Sequence, residues 1–322
     1  MNERNSKMEL LGSAPIPKAL LAMGLPTMIG MMINALYNLV DAYFVGGLGT
    51  SQMGAISVAF PLGQVVVGLG LLFGNGAASY ISRLLGHGET ETADRVASTA
   101  LYSSISVGAV IIICTLLFLR PILRLLGATE SILPYAEIYA GIYVVSSIFN
   151  IFNVTMNNIV TSEGAAKTTM CALLTGAVLN MVLDPVFIYV LHLGVAGAAI
   201  ATAISQIVST AVYLCYVFRK KSVFSFSIKK CCFSSEIMSE VLKIGIPTLV
   251  FQLLTSLSVA LINLKARPYG DSVIAGMGAV TRIISMGSLM VFGFLKGFQP
   301  IAGYSYGAKK YDRLHEAIRT SI

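Results

Sequence analysis

The chain has 322 residues, of which 56% are hydrophobic and only 11% are charged, and its formal net charge is +7. A soluble domain carries about 25% charged residues. The composition therefore excludes an ordinary soluble enzyme or binding domain and indicates a protein embedded in a lipid bilayer.

About 20 apolar residues are enough for a helix to cross a bilayer, and the sequence contains eight stretches of this length or longer. We predict an all-α polytopic membrane protein whose transmembrane helices lie at roughly 17–45, 52–82, 94–119, 131–158, 166–191, 195–218, 238–264 and 272–304.

The first span combines a helix breaker with a polar face. Pro26 removes a backbone hydrogen bond and is expected to kink the helix, either as a static bend or as a moving hinge. Asn34, Asn38 and Asp41 follow at i, i+4 and i+7, so they share one face. Tyr37 flanks that face.

The fourth span carries an unbroken polar stripe at helical spacing. Its members are Tyr139, Tyr143, Ser146, Asn150, Asn153 and Asn157. Such a stripe either joins helices, at about 0.6 kcal/mol per contact, or lines a water-filled cavity. Six positions on one helix favour the cavity.

The fifth and sixth spans add further polar side chains. Asn180 and Asp184 are four residues apart on the fifth span, and Pro185 follows them. The sixth span contributes Thr202 and Gln206.

Asp41 and Asp184 are the acidic residues that lie well inside apolar spans. A carboxylate at bilayer depth costs about 2.5–3.5 kcal/mol on insertion scales, which favours a functional role over a structural one. Carboxylate, amide and hydroxyl oxygens suit a hard cation such as Na⁺. Two neighbouring carboxylates can instead share a proton.

An internal repeat relates the two ends of the chain. "MGLPTMI" at 23–29 recurs as "IGIPTLV" at 244–250, a shift of 221 residues that also aligns Gly76 with Gly297. Since six spans separate the copies, they form a parallel repeat about an axis normal to the membrane.

The second copy ends after two spans. The expected domains are a cytoplasmic N-terminus (1–16), an N-lobe of six helices (17–218), a basic cytoplasmic linker (219–236) and an incomplete C-lobe (237–322) with two transmembrane helices and the start of the next loop. We expect four further helices in a complete protein, so that the chain is C-terminally truncated or its lobe is completed by another molecule.

The distribution of basic residues predicts the orientation. With the N-terminus in the cytoplasm, most of the 22 Lys and Arg residues fall in inner segments, and only Arg120, Arg124, Lys265 and Arg267 fall in outer ones. The positive charge thus reports topology and gives no reason to expect nucleic-acid binding.

Several of these segments resemble the multidrug and toxic compound extrusion (MATE) transporters, and especially the DNA-damage-inducible protein F branch. The resemblance rests on "GLPTMIGMMINALYNLVDAYFVGGLG", "SVAFPL", "NMVLDPVFI", "GVAGAAIATAISQ", "INLKARPYGD" and "FGFLKGFQPIAGYSYGAKKYDR". It implies a twelve-helix fold of two six-helix lobes around a V-shaped cavity.

The resemblance also implies a secondary active antiporter in a prokaryotic plasma membrane, exchanging organic, often cationic, drugs for H⁺ or Na⁺ by alternating access. No cofactor is expected beyond the coupling ion, and the full-length protein is expected to be a monomer. The cation site implied by the resemblance lies in the N-lobe and comprises Asp41, Asp184, Asn180, Asn157, Thr202 and Tyr139. Na⁺ would be held at Asp41, Asp184 and Asn180.

The substrate cavity and the hinge complete the set of expected site residues. We expect the cavity to be lined by Asn34, Tyr37, Asn38, Asn153 and Gln206. Pro26 is the expected hinge. Another branch uses a glutamate on the seventh helix, but Thr255 occupies that position here, and Ile262 matches Asp41 in the second copy. The cation site is therefore expected in one lobe only.

Three alternatives remain. A flippase for lipid-linked oligosaccharides would need a basic cavity, for which the spans offer only Arg282 and Lys296. A truncated remnant without transport activity is the second. An enzyme is the third, but the sequence shows no nucleophile–base pair, metal-ligand spacing or phosphate-binding loop.

Overall fold

A computed structural model describes the backbone of residues 3–321, and the side chains of all of these except Glu3, Arg4, Arg282, Ser285 and Met286. The described residues form helices and no strand. The helices are α1 (Glu3–Gly12), α2 (Ile16–Gly46), α3 (Thr50–His87), α4 (Thr90–Leu117), α5 (Leu119–Leu125), α6 (Leu133–Ser162), α7 (Ala166–Pro185), α8 (Gly194–Phe218), α9 (Ser235–Ala266), α10 (Asp271–Gly307) and α11 (Tyr311–Ser321).

All eight predicted apolar stretches are helical, as α2, α3, α4, α6, α7, α8, α9 and α10. Among the described residues, 7 helices are long and apolar enough to cross a membrane by length and composition. The eighth stretch, α10, has 37 residues. The short helices α1, α5 and α11 were not predicted, because hydrophobic length detects only elements that can cross a bilayer.

Helix α2 runs through Pro26 without interruption. The hydroxyl of Thr27 donates to the carbonyls of Met23 (2.9 Å) and Gly24 (3.0 Å) in the turn that contains the proline. These two bonds hold the Thr27 side chain against the backbone in the turn that contains the proline.

Helix α3 lies at the centre of the fold, packed against α4, α6, α9 and α10, while α2 packs against α7 and α10. The helices of the second repeat thus contact those of the first through α3 with α9, α2 with α10 and α3 with α10. The first two of these crossings are equivalent under the 221-residue shift.

Glycines allow the backbones to touch at both crossings. A Cβ at Gly245 of α9 would lie 2.0 Å from the Leu72 carbonyl oxygen, and one at Gly76 of α3 would lie 2.1 Å from the Val241 carbonyl oxygen. At the other crossing, a Cβ at Gly297 would lie 2.5 Å from the Cα of Gly24. The 221-residue shift relates Gly24 to Gly245 and Gly76 to Gly297. The two crossings are therefore equivalent in the two copies of the repeat.

The segment between α8 and α9 is fastened to the first repeat by a buried carboxylate. Glu163, which follows α6 and is fully buried, accepts hydrogen bonds from the Val223 backbone N–H (2.7 Å), the Ser222 hydroxyl (2.9 Å) and the Tyr216 hydroxyl. Lys7 of α1 lies 3.4 Å from the same carboxylate.

A second carboxylate holds the middle of this segment. Asp94 of α4 accepts hydrogen bonds from the backbone N–H and hydroxyl of Ser225, both at 2.8 Å, and from Lys230 at 2.6 Å. Farther along α4, Thr99 exchanges hydrogen bonds with the backbone of Cys232. The linker is therefore held along α4 by hydrogen bonds.

We predict that Gly245→Ala destabilises the protein by about 1–3 kcal/mol, the usual cost of overpacking a filled interface, because the new methyl group collides with the backbone of α3. The control is Gly276→Ala in α10, where no atom lies within 4 Å of the added Cβ. Because the sequence contains no tryptophan, we would measure heat-induced loss of the monodisperse species by fluorescence-detected size-exclusion chromatography. Equal melting temperatures for both variants would contradict the close α3–α9 contact.

The environment of Glu163 generates a pH-dependent prediction. Burial raises the pKa of the Glu163 carboxyl above its ordinary value, against the opposing effects of Lys7 and the hydrogen-bond donors. A group whose pKa is higher in the folded state contributes stability at low pH and loses it as the pH rises through the folded-state pKa.

The melting temperature of the wild-type protein should therefore fall more steeply than that of Glu163→Gln as the pH rises from the ordinary pKa of a glutamate, about 4.3, through the raised pKa of the folded state. The matched control is Glu91→Gln, since Glu91 is 76% exposed and pairs only with Arg95 four residues along the same helix. A Glu163→Gln profile parallel to that of the wild type would show that Glu163 does not change its protonation on folding.

Candidate functional site

The C-terminal end of α7 gathers three of the predicted site residues. Asp184 is fully buried, and Asn180 and Thr202 are nearly so. The Asn180 amide donates to Asp184 Oδ1 at 3.3 Å and to the Thr202 hydroxyl at 3.4 Å. These distances are long for hydrogen bonds, so the amide bridges α7 and α8 only loosely.

Two oxygen atoms of this cluster remain available for another group. Among the described residues, Asp184 Oδ2 and Asn180 Oδ1 are buried without a hydrogen-bond partner. Buried oxygens without a donor are costly, and a small cation, a proton or a water molecule would satisfy them.

The backbone beside this cluster is irregular. After Pro185 the helix continues as a π-helical turn at Val186–Val190, and the Leu191 N–H donates to the Val186 carbonyl at 2.9 Å. π-Helical turns are rare and frequently mark functional sites. Proline lacks the N–H that would bond to the carbonyl four residues earlier, which explains why the regular α-helix ends here.

Asp41 of α2 belongs to the same region. Its side chain is only 7% exposed, and it lies within electrostatic range of the Asp184 carboxyl group. Tyr37 is within electrostatic range of both carboxyl groups. The structure thus brings Asp41, Asp184, Asn180 and Thr202 together from three helices, although they are widely separated in the sequence.

The α6 stripe has a different arrangement from the predicted one. The Asn153 amide donates to the carbonyl (2.9 Å) and side-chain oxygen (2.8 Å) of Gln206, and the Thr210 hydroxyl donates to Asn153 Oδ1 at 3.0 Å. The Asn157 amide donates to the Tyr213 hydroxyl at 3.0 Å. These two asparagines therefore form a polar contact between α6 and α8.

Tyr139 of α6 and three polar residues of α2 are further members of the predicted site. The ring of Tyr139 stacks on Tyr143, with centroids 6.1 Å apart and planes 9° from parallel. The Asn38 amide donates to the Asn34 carbonyl at 2.7 Å. Asn34, Tyr37 and Asn38 are half-buried, so this face of α2 keeps polar surface open to a ligand.

The sequence-based prediction omitted Thr210 and Tyr213. Both continue the α8 row that begins at Thr202 and Gln206, at spacings of four, four and three residues. The same helical periodicity that revealed the α6 stripe could have identified them. Together the α6 and α8 side chains form a polar row from the Asp184 region towards the Glu163 end of the bundle.

The basic residues required by the flippase alternative give it no support. Lys296 is half-buried in α10, and the side chain of Arg282 lies outside the described residues. The oxygen-rich, acidic cluster can bind a hard cation or carry a proton, whereas a pyrophosphate would need several positive charges.

Comparison with known proteins finds a family match over most of the chain. The MatE family model matches residues 26–186 and 247–322. The multidrug export protein MepA of Staphylococcus aureus is 32% identical over 320 residues, which cover 99% of this chain and 71% of MepA. MepA of Staphylococcus haemolyticus is 33% identical over 306 residues, covering 95% and 68%.

Solved structures show the same fold. A crystal structure of MATE in complex with MaD3S superposes with a TM-score of 0.88 at 31% identity, covering 98% of this chain and 71% of the other. MATE in the straight conformation gives a TM-score of 0.87, and MATE in the bent conformation gives 0.85, each over 98% of this chain and 70% of the other. The family match, the relatives and the fold agree that this chain is not an enzyme but belongs to the MatE family of multidrug and toxic compound extrusion transporters.

Proposed function

We propose that this protein is a secondary active multidrug efflux transporter that exchanges organic, often cationic, drugs for H⁺ or Na⁺. The observation that carries the proposal is the buried cluster of Asp184, Asn180, Thr202 and Asp41, with unpaired oxygens on Asp184 and Asn180. The export of multiple drugs by the MepA relatives supports the substrate class.

The cluster is suited to a switch that responds to a small cation. Two carboxyl groups held close together in a medium of low dielectric repel each other when both are ionised. A bound proton or Na⁺ removes that repulsion, and loss of the cation restores it. The weak Asn180 contacts at 3.3 and 3.4 Å would then shorten or break as the cation enters or leaves.

The cation site proposed here retains Asp41, Asp184, Asn180 and Thr202, with Tyr139 and Asn157 as adjoining groups. Asn157 is tied to Tyr213, so it would join the site through α8 and not as a direct ligand. Asn34, Tyr37 and Asn38 of α2, together with Asn153 and Gln206, are proposed to line the path of the organic substrate.

Alternating access requires the two repeats to move against each other. In the proposed topology the N-terminus is cytoplasmic, α10 is the eighth transmembrane helix, and residues 17–218 form the N-lobe. Pro26 is placed to act as the hinge, because Gly24 in the preceding turn touches Gly297 of the opposite repeat. Related MATE structures are described in a straight and a bent conformation, which supports conformational change in this fold.

We predict that Asp41→Asn and Asp184→Asn each abolish cation-coupled efflux, because an amide keeps the shape of the carboxyl group but cannot exchange a proton or neutralise Na⁺. The measurement is efflux of a fluorescent organic cation, ethidium, from cells or proteoliposomes with matched protein amounts.

Glu91→Gln is the control, since Glu91 is exposed on the first turn of α4. Imposing a pH gradient or a Na⁺ gradient separately would identify the coupling ion. Wild-type rates in both aspartate variants would refute the assigned cation site.

A further inference from the structure

The two repeats are joined at the outer end by a polar cluster that the transport site does not use. Asp271, the first residue of α10, accepts hydrogen bonds from the hydroxyls of Ser51 (2.6 Å), Thr129 (2.9 Å) and Ser131 (2.8 Å). Ser51 begins α3, and the other two residues precede α6. One carboxylate of the second repeat therefore binds two separate segments of the first.

Two further contacts continue this junction along α3 and α9. The Asn263 amide donates to the Ser57 carbonyl at 3.0 Å, and the Ser256 hydroxyl donates to the Pro61 carbonyl at 2.9 Å. Asn263 is 1% exposed. Packing is tight here as well, since a Cβ at Gly278 of α10 would lie 2.0 Å from the Ser57 hydroxyl oxygen.

The inner ends of the repeats are also in contact. Arg83 of α3 pairs with Glu240 of α9 at 2.8 Å, and Arg313 of α11 donates to the Ala14 carbonyl at 2.6 Å. The described residues thus place the two repeats in contact at both ends. Opening towards the outside must break the Asp271 cluster, because its members lie on opposite sides of the junction.

We infer that Asp271 is the outer gate of the transport cycle: its bonds to Ser51, Thr129 and Ser131 hold the outer ends of the repeats together, and their release opens the cavity outward. This inference rests on the proposed alternating access. Hydrogen bonds to a charged acceptor are stronger than those between neutral groups. Three of them on one carboxylate hold the outer ends of the repeats together when they are formed and free them when they are broken.

A purely local role is the competing explanation. An acidic residue at the start of a helix also stabilises the helix dipole, and α10 begins at Asp271. Removing the hydroxyl groups of Ser51 and Ser131 separates the two explanations. Neither residue belongs to α10, so their removal weakens the junction without changing the charge at the start of that helix.

The test uses thiol accessibility in purified full-length chain in lipid nanodiscs, with the five native cysteines replaced. Ala275→Cys reports on the outer junction, where Ala275 is 8% exposed and packs near Ala42 and Met53. Ala317→Cys reports on the inner end, where Ala317 is fully buried. A bulky polar maleimide labels either cysteine only when that end opens.

We expect Asp271→Asn to accelerate labelling of the outer reporter by about tenfold, which corresponds to about 1.4 kcal/mol, with no acceleration at the inner reporter. The double variant Ser51→Ala with Ser131→Ala should accelerate outer labelling to a similar extent. It provides the same test if the Asp271→Asn protein is not produced in sufficient amount. Glu130→Gln is the matched control, because Glu130 lies between two of the hydroxyl donors but is exposed and faces Arg124.

Unchanged labelling of the outer reporter would overturn the gate, and so would a parallel rise at both reporters, which would indicate general loosening. A different result would separate the two inferences. If the alanine double variant is labelled faster at the outer reporter, but the parent protein with the unchanged Asp271 cluster exports no ethidium, the gate stands and the proposed transport function is refuted. The two inferences therefore fail in distinguishable ways.

Discussion

The structure depends on one constraint: a polar side chain inside an apolar helix has to find its partner on a neighbouring helix, because hydrocarbon offers none. Asn153 with Gln206, and Asn157 with Tyr213, meet this requirement between α6 and α8. The Asp184 cluster meets it only in part, since two oxygens stay without a partner among the described residues. The incompletely satisfied position is also the one best suited to receive a cation.

Close backbone contact is the second means by which these helices associate. Apolar side chains gain little from packing against one another in lipid, so small residues that bring backbones together are favoured. The crossings at Gly24 with Gly297 and at Gly76 with Gly245 occupy equivalent positions in the two repeats. Each crossing thus belongs to an extended interface between the two repeats, with the glycines at the points of closest backbone approach.

Sequence alone predicted the membrane-spanning helices and the buried acids well, because both depend on residues close together in the chain. Hydrophobic length gave the eight long helices, and the i, i+4 spacing placed Asn180 with Asp184. The family resemblance added Thr202 to this cluster. The hydroxyls around Asp271 could not be found in this way, since Ser51 in the first turn of α3 and Thr129 in the loop before α6 are far away in the sequence. The linker was predicted to be basic, but its fixation by Glu163 and Asp94 depends on tertiary contacts that composition does not report.

The fixed linker affects how helix α9 can move. Residues 222–232 are fixed to the first repeat, so the beginning of α9, where Ser234 caps the helix through the Ile237 N–H, is anchored to that repeat. With 32 residues and about 1.5 Å per residue, α9 is a lever about 48 Å long. A rotation of about 10° about its N-terminal end would therefore displace its C-terminal end by about 8 Å. Because the linker anchors the N-terminal end, any such rotation has its largest effect at the other end of the bundle.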